Sequence, residues 1–145
     1  MTGRRLAVSL DAVVLAVTDD TPRVLVTEDA GALPALPSGP LDVDHDETLE
    51  RGLRRYVREQ SGLELGYVEQ LYTFGDRDRA PDAARMRRLS VGYLALVHET
   101  AGGPGTRWAD VHEFLPWEDH RDGRPEVADQ LQERVTAWAG AHRRR

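Results

Sequence analysis

Cysteine is absent from the 145 residues, which excludes disulfides, thiolate zinc sites and a cysteine nucleophile and fits the cytoplasm, where we expect the protein to work. No apolar run reaches the ~20 residues that span a bilayer, so no membrane association is expected. The opening "RRLAVSLDAVVLAV" has the outline of a leader, but Asp11 interrupts it and "TDDTPR" provides no small-residue cleavage site. A strand accounts for it better. Basic charge is also short, 19 Lys and Arg against 25 Asp and Glu. The net charge of −6 sets up no overall field for nucleic acid or an anionic membrane.

What is present suits one globular domain over residues 1–145, since 40% hydrophobic and 30% charged residues can close a real core. Residues 6–17 and the β-branched run "VLVTED", joined by "TDDTPR", read as a β-hairpin. "GALPALPSGP" (31–40) reads as an irregular loop. A helix follows, with Asp44 or Asp46 as N-cap, acids over its first turn and Gly62 as its stop. Leu49, Leu53 and Val57 form its apolar stripe. "YVEQLYTFG" (67–75) and "LSVGYLALV" (89–97) read as long strands around the arginine-rich loop "DRDRAPDAARMRR". Val127, Leu131, Val135 and Trp138 mark a final amphipathic helix. The order is two strands, helix, two strands, short strand, helix. It predicts an α/β or α+β layered domain, a mixed sheet with helices packed on it.

"LRRYVREQSGL" (53–63) is the segment that bears on chemistry. On a helix Tyr56, Glu59 and Gln60 are neighbours, and Arg55 lies one turn from Glu59. Taken by itself this is an amphipathic helix with Tyr56 partly buried and Glu59 at the rim. The segment nevertheless resembles the Nudix box: glycine, five residues, glutamate, seven residues, then Arg-Glu-apolar-x-Glu-Glu-x-Gly-apolar. Glu47, Arg55, Val57, Glu59, Gly62 and Leu63 match in register. "LPSG" (36–39) is similar to the family's Leu-Pro-Gly-Gly turn, although seven residues, not five, separate Gly39 from Glu47.

The resemblance implies a Nudix-like mixed sheet sandwiched between helices. Gly39, Glu47, Arg55 and Gly62 would be the structural positions of the box, with Glu47 serving Arg55 or the helix N-terminus. It also implies carboxylates that gather Mg²⁺ on a nucleoside diphosphate linked to another group, for attack by water. Two departures fall there, because Tyr56 and Gln60 stand where the family has glutamates. Mg²⁺ prefers octahedral oxygen ligands. A neutral amide and a protonated phenol replace carboxylates poorly. Glu59 would hold the metal weakly and would be the catalytic carboxylate of an active enzyme.

"YVEQLYTFGDRDR" followed by "RRLSVGYLAL" is similar, more narrowly, to Nudix-related regulators of NAD metabolism, in which a Nudix-like domain with a weakened box binds ADP-ribose or a related nucleotide. That resemblance implies Phe74 as a stacking face, Arg77, Arg79 and Arg88 as phosphate contacts and Asp76 as a hydroxyl acceptor. Guanidinium forks suit phosphate oxygens. In such regulators a winged helix follows and binds DNA. This segment has no counterpart and is not expected to bind DNA alone, the winged helix being lost or lying outside it. The leading reading is thus a homodimeric domain that binds a nucleotide-type small molecule as a sensor.

The alternative is an active Mg²⁺-dependent hydrolase drawing its base from Glu69, Asp76 or Glu113. A third reading is a dimerisation module. "DVDHDET" (42–48) fails as a calcium loop, because Glu47 takes the place of the required glycine. Trp108, Phe114, Trp117 and Trp138 are expected in the core or at a subunit interface. The "HRRR" tail fits a helix C-terminus or solvent better than DNA.

Overall fold

A computed structural model describes residues 5–28, 33–76 and 86–142, apart from the side chains of Arg5 and His142. They fall into two compact units, 1–109 and 110–145. The first contains most of a six-stranded mixed sheet.

β1 (Arg5–Thr18) runs through the middle of that sheet. Leu10, Ala12, Val14 and Ala16 are buried on one face, and Asp11 and Val13 belong to the other, the two-residue period of a pleated strand. The chain reverses at Asp19 and Asp20, with φ of 50° and 56°. A tight hairpin needs this left-handed pair and aspartate tolerates it. β2 (Thr21–Thr27) returns antiparallel to β1.

The proline- and glycine-rich segment is not a loop throughout. Ala35 bridges to Thr27, and Ser38–Pro40 forms β3, antiparallel to β1 with Ser38 opposite Asp11 and Gly39 opposite Leu10. Just before the strand, Ala12 N donates to Pro37 O at 2.9 Å, a bond that asks no N–H of the proline.

α1 (Leu49–Ser61) begins at Thr48, not at Asp44 or Asp46. Thr48 has extended backbone, and its Oγ1 accepts from Arg51 N at 3.1 Å. The expected acids instead build the turn before the helix: Asp42 Oδ1 accepts from Asp44 N and His45 N, and Asp46 Oδ2 accepts from Asp42 N. Gly62 ends the helix as expected, at φ 73°, donating to Arg58 O at 2.8 Å. Leu53 and Val57 are fully buried in one cluster with Leu10, Ala12 and Val14. Each such burial stabilises the fold by ~1.5–3 kcal/mol.

β4 (Val68–Phe74) is an edge strand, antiparallel to β5 (Met86–Leu96), which starts three residues before the expected run and pairs parallel with β1. The β4–β5 ladder carries a bulge at Leu71: Gln70 lies opposite Tyr93, and Tyr72 opposite Gly92. A bulge adds one residue and turns the strand's side-chain parity over. Val68 therefore joins the core beside α1, while Tyr72 and Phe74 share the opposite face with Ser90 and Gly92. β6 (Thr106–Asp110) completes the order β4-β5-β1-β2-β6, with β3 beside β1. Trp108 packs against the core as expected, its Nε1 donating to Thr100 O at 2.8 Å.

In the second unit, short helical turns at Val111–Glu113 and Pro116–Glu118 precede α2 (Glu126–His142). Asp110 accepts from His112 and ion-pairs with Arg121, which also holds Asp119. The final helix is where the periodicity placed it. Val135 and Trp138 on it are exposed, as are Phe114 and Trp117, so these three aromatics are not core residues. Among the described residues no helix is long and apolar enough to cross a membrane.

Candidate functional site

The two positions that depart from the box are both committed to the backbone of the Pro37–Pro40 segment. Gln60 Oε1 accepts from Ser38 N at 3.1 Å, and its Nε2 donates to Ser38 O at 2.8 Å. Tyr56 OH donates to Pro40 O at 2.6 Å, one turn earlier on the same helix face. The Tyr56 ring lies so close to Gly39 that a Cβ there would fall 2.1 Å from a ring carbon. Gly39 is thus needed for close approach of the ring. Tyr56 and Gln60 form a two-point clasp between α1 and β3.

Arg55 braces the clasp from behind. Its Nε and Nη2 donate to the two oxygens of Asp46 at 3.1 and 2.9 Å, and its guanidinium sits 4.3 Å from the centre of the Tyr56 ring. The Asp46 side chain is only 4% exposed, and the bidentate bond from Arg55 holds its carboxyl below the usual carboxylate range. Arg55 is raised above its ordinary value, chiefly by the same bond. Glu47, expected to serve Arg55 or the helix N-terminus, pairs with Arg51 instead. Asp46 is one residue closer to the turn that buries it.

The donor set at the box is a poor fit for a resident Mg²⁺. Glu59 is half exposed and pairs with Arg55 at 3.4 Å. Gln60 has both amide atoms in use, and the Tyr56 hydroxyl donates its proton to a carbonyl. Among the described residues no three acidic or histidine side chains gather within metal-binding reach. Glu69 lies exposed on β4 and Asp76 is exposed beyond that strand, while Glu113 closes a capping box with Asp110 in the second unit.

The sheet face opposite α1 carries a cavity of about 470 Å³, within the range of small-molecule sites. Asp11, Val13, Ser90 and Gly92 lie along its floor strands, Leu71 and Phe74 come from β4, and Ala35, Leu36 and Ser38 come from the segment ending in β3. The bulge brings Phe74 here, edge-to-face with Tyr72 at 4.9 Å between ring centres. Asp11 Oδ2 accepts from Ser90 Oγ at 2.6 Å, and the Ser9 and Ser90 hydroxyls are 2.8 Å apart. Ser38 is shared, lining the cavity with its own atoms while Gln60 grips its backbone.

Of the sequence-predicted ligand residues, Phe74 lines this cavity. Arg88 is exposed and, by the β5 alternation, lies on the same face two residues before Ser90, about 7 Å along the strand. Arg77 and Arg79 lie outside the described residues. Asp11, Ser90 and Leu71 were not foreseen. The signal for Asp11 was available, since it is a lone charge inside an apolar strand. A wider opening of about 640 Å³ borders Asp129, Gln132, Glu133, Thr136 and Ala137. It is one flank of α2 and gathers no convergent groups.

A mixed sheet packed against a box helix, closed by a segment like the Leu-Pro-Gly-Gly turn, defines the class: the chain has the Nudix fold. No family model matches the sequence, and no curated protein matches it. Among solved structures, the NUDIX domain of Shewanella oneidensis NrtR, complexed with ADP ribose, is 25% identical at a TM-score of 0.67, over 93% of this chain and 90% of that one. NrtR of the same organism, complexed with a 27mer DNA, is 26% identical at a TM-score of 0.64 over 90% of this chain. A MutT/nudix family protein from Enterococcus faecalis is 25% identical at a TM-score of 0.63 over 73% of it. This chain spans 62% of NrtR's length and 44% of the Enterococcus protein's.

Proposed function

We infer that the protein binds ADP-ribose or a related nucleoside-diphosphate metabolite in the cavity between Asp11 and Phe74, without hydrolysing it efficiently, as the sensor part of a transcriptional regulator. The observation that carries this is the clasp: the side chains at both altered box positions hydrogen-bond β3 backbone and have no charge to offer a metal. Several metal-bound oxygens and a general base, the latter typically worth ~10²–10⁴ in rate, exceed what Glu59 alone can supply. Binding asks less. Leu71 and Phe74 offer an apolar wall to a base, and Arg88, exposed on the same face of β5, would meet the diphosphate. A structural neighbour complexed with ADP ribose and another complexed with DNA support the ligand and the sensor role.

Calorimetry of the protein with ADP-ribose, with and without Mg²⁺, tests this. Heat of binding that does not depend on Mg²⁺ is expected, with intact ADP-ribose recovered afterwards. No heat with any nucleoside diphosphate derivative would end the sensor reading. Steady Mg²⁺-dependent turnover that disappears in Glu59→Gln would establish the hydrolase instead.

A further inference from the structure

We propose that Asp11 is the base-reading residue of the cavity, selecting a nucleobase that carries an exocyclic amine. The proposal rests on the reading of the cavity as a nucleotide site. Asp11 stands on the central strand, opposite Ser38 in one neighbouring strand and Gly92 in the other, so its carboxylate lies between the two walls. Ser90 occupies Oδ2 at 2.6 Å, with Ser9 a weak second donor at 3.5 Å. Among the described residues no donor reaches Oδ1. A carboxylate accepts and cannot donate. The open oxygen therefore asks the ligand for a hydrogen-bond donor.

Two further observations narrow that donor. Leu71 and Phe74 line the same space and Gly92 leaves its floor without a side chain, which suits a flat ring better than a hydrated sugar. A negative charge on the floor repels phosphate, whereas Arg88 stands exposed toward the start of β5 on the same face. The base then lies over Asp11 with its amine on Oδ1, and the diphosphate runs toward Arg88. The two serines hold the carboxylate in one orientation, which favours donors placed at one position on the ring.

The test is a cycle between protein and ligand. Wild type and Asp11→Ala are each titrated calorimetrically with ADP-ribose and with its analogue in which hydrogen replaces the adenine 6-amino group. Wild type should prefer ADP-ribose by roughly tenfold or more, as a hydrogen bond to a charged acceptor contributes. Asp11→Ala should bind the two within twofold, and inorganic pyrophosphate should bind it at least as well as it binds wild type. Equal affinity of wild type for the two ligands overturns the assignment whether or not the variant folds, as does a tenfold preference that survives in Asp11→Ala. Wild type that binds neither ligand removes the nucleotide reading itself, and this assignment with it.

Discussion

Gln60 and Ser38 are joined twice, the side-chain amide of one matching the backbone N–H and C=O of the other at 3.1 and 2.8 Å. Only an amide does this. A carboxylate accepts from Ser38 N but sets a negative oxygen against Ser38 O. Gln60→Glu should therefore lower stability by about 1–3 kcal/mol, the cost of leaving a part-buried polar group unsatisfied. Urea unfolding measures it, and an unchanged midpoint would contradict the clasp.

Gly39 and Tyr56 should be strongly coupled. A methyl group at residue 39 collides with the ring, so Gly39→Ala should cost about 2 kcal/mol through overpacking. In a Tyr56→Ala background the same change should cost much less. The difference is the interaction energy of a double-mutant cycle, and simple additivity would place the ring elsewhere.

Replacing both clasp residues by carboxylates should turn the box toward metal. Tyr56→Glu with Gln60→Glu removes two of the three bonds to β3, leaving only that from Ser38 N, so the variant should melt below wild type in chelator. Mg²⁺ or Mn²⁺ should then raise its melting temperature by mass action on the folded state. Wild type should respond less. A double variant indifferent to both ions would show that these side chains do not converge on a common point.

Arg55→Ala should destabilise the fold by about 3 kcal/mol at pH 7, because it strands the Asp46 carboxylate in a nearly closed site. Asp46 has its folded value depressed below 3.8. Its contribution is present above that unfolded value and is lost as pH falls through the lower folded value. The gap between wild type and Arg55→Ala should accordingly narrow as pH drops below about 4, where protonation relieves the stranded charge. A gap constant between pH 7 and 3 would assign the loss to packing alone.

Filling the cavity floor should separate binding from folding. A Cβ at Gly92 meets Phe74 and the Tyr72 carbonyl only at 3.7 Å, an ordinary contact, so Gly92→Ala should fold normally. Gly92→Leu should melt near wild type yet lose measurable heat with ADP-ribose. Retained binding would move the ligand off this face.

Much of the frame was legible because it repeats or is punctuated. The hairpin announced itself by two aspartates between β-branched runs, and α1 by its stripe and by Gly62. The N-cap was misread because four acids precede the helix and any of them suits its dipole, whereas capping depends on extended backbone directly before the first turn, which is Thr48. β3 was missed because a three-residue strand among prolines has no period to read. The missing box acids were visible, but not their new hydrogen bonds, which join positions 22 residues apart. The cavity was hidden for the same reason: Asp11, Phe74 and Ser90 meet only through strand register.

The bulge at Leu71 makes β4 answer to two masters. Val68 and Phe74 are six positions apart, an even number that in a regular strand would put both on one side. The extra residue allows the strand to anchor beneath the helix at one end and furnish the opposite wall at the other. Deleting Leu71 would leave that ribbon untwisted, forced to surrender either its anchor or its aromatic tip. Homologues that differ in length by one residue here should therefore differ in what they bind, even where every other lining side chain is the same.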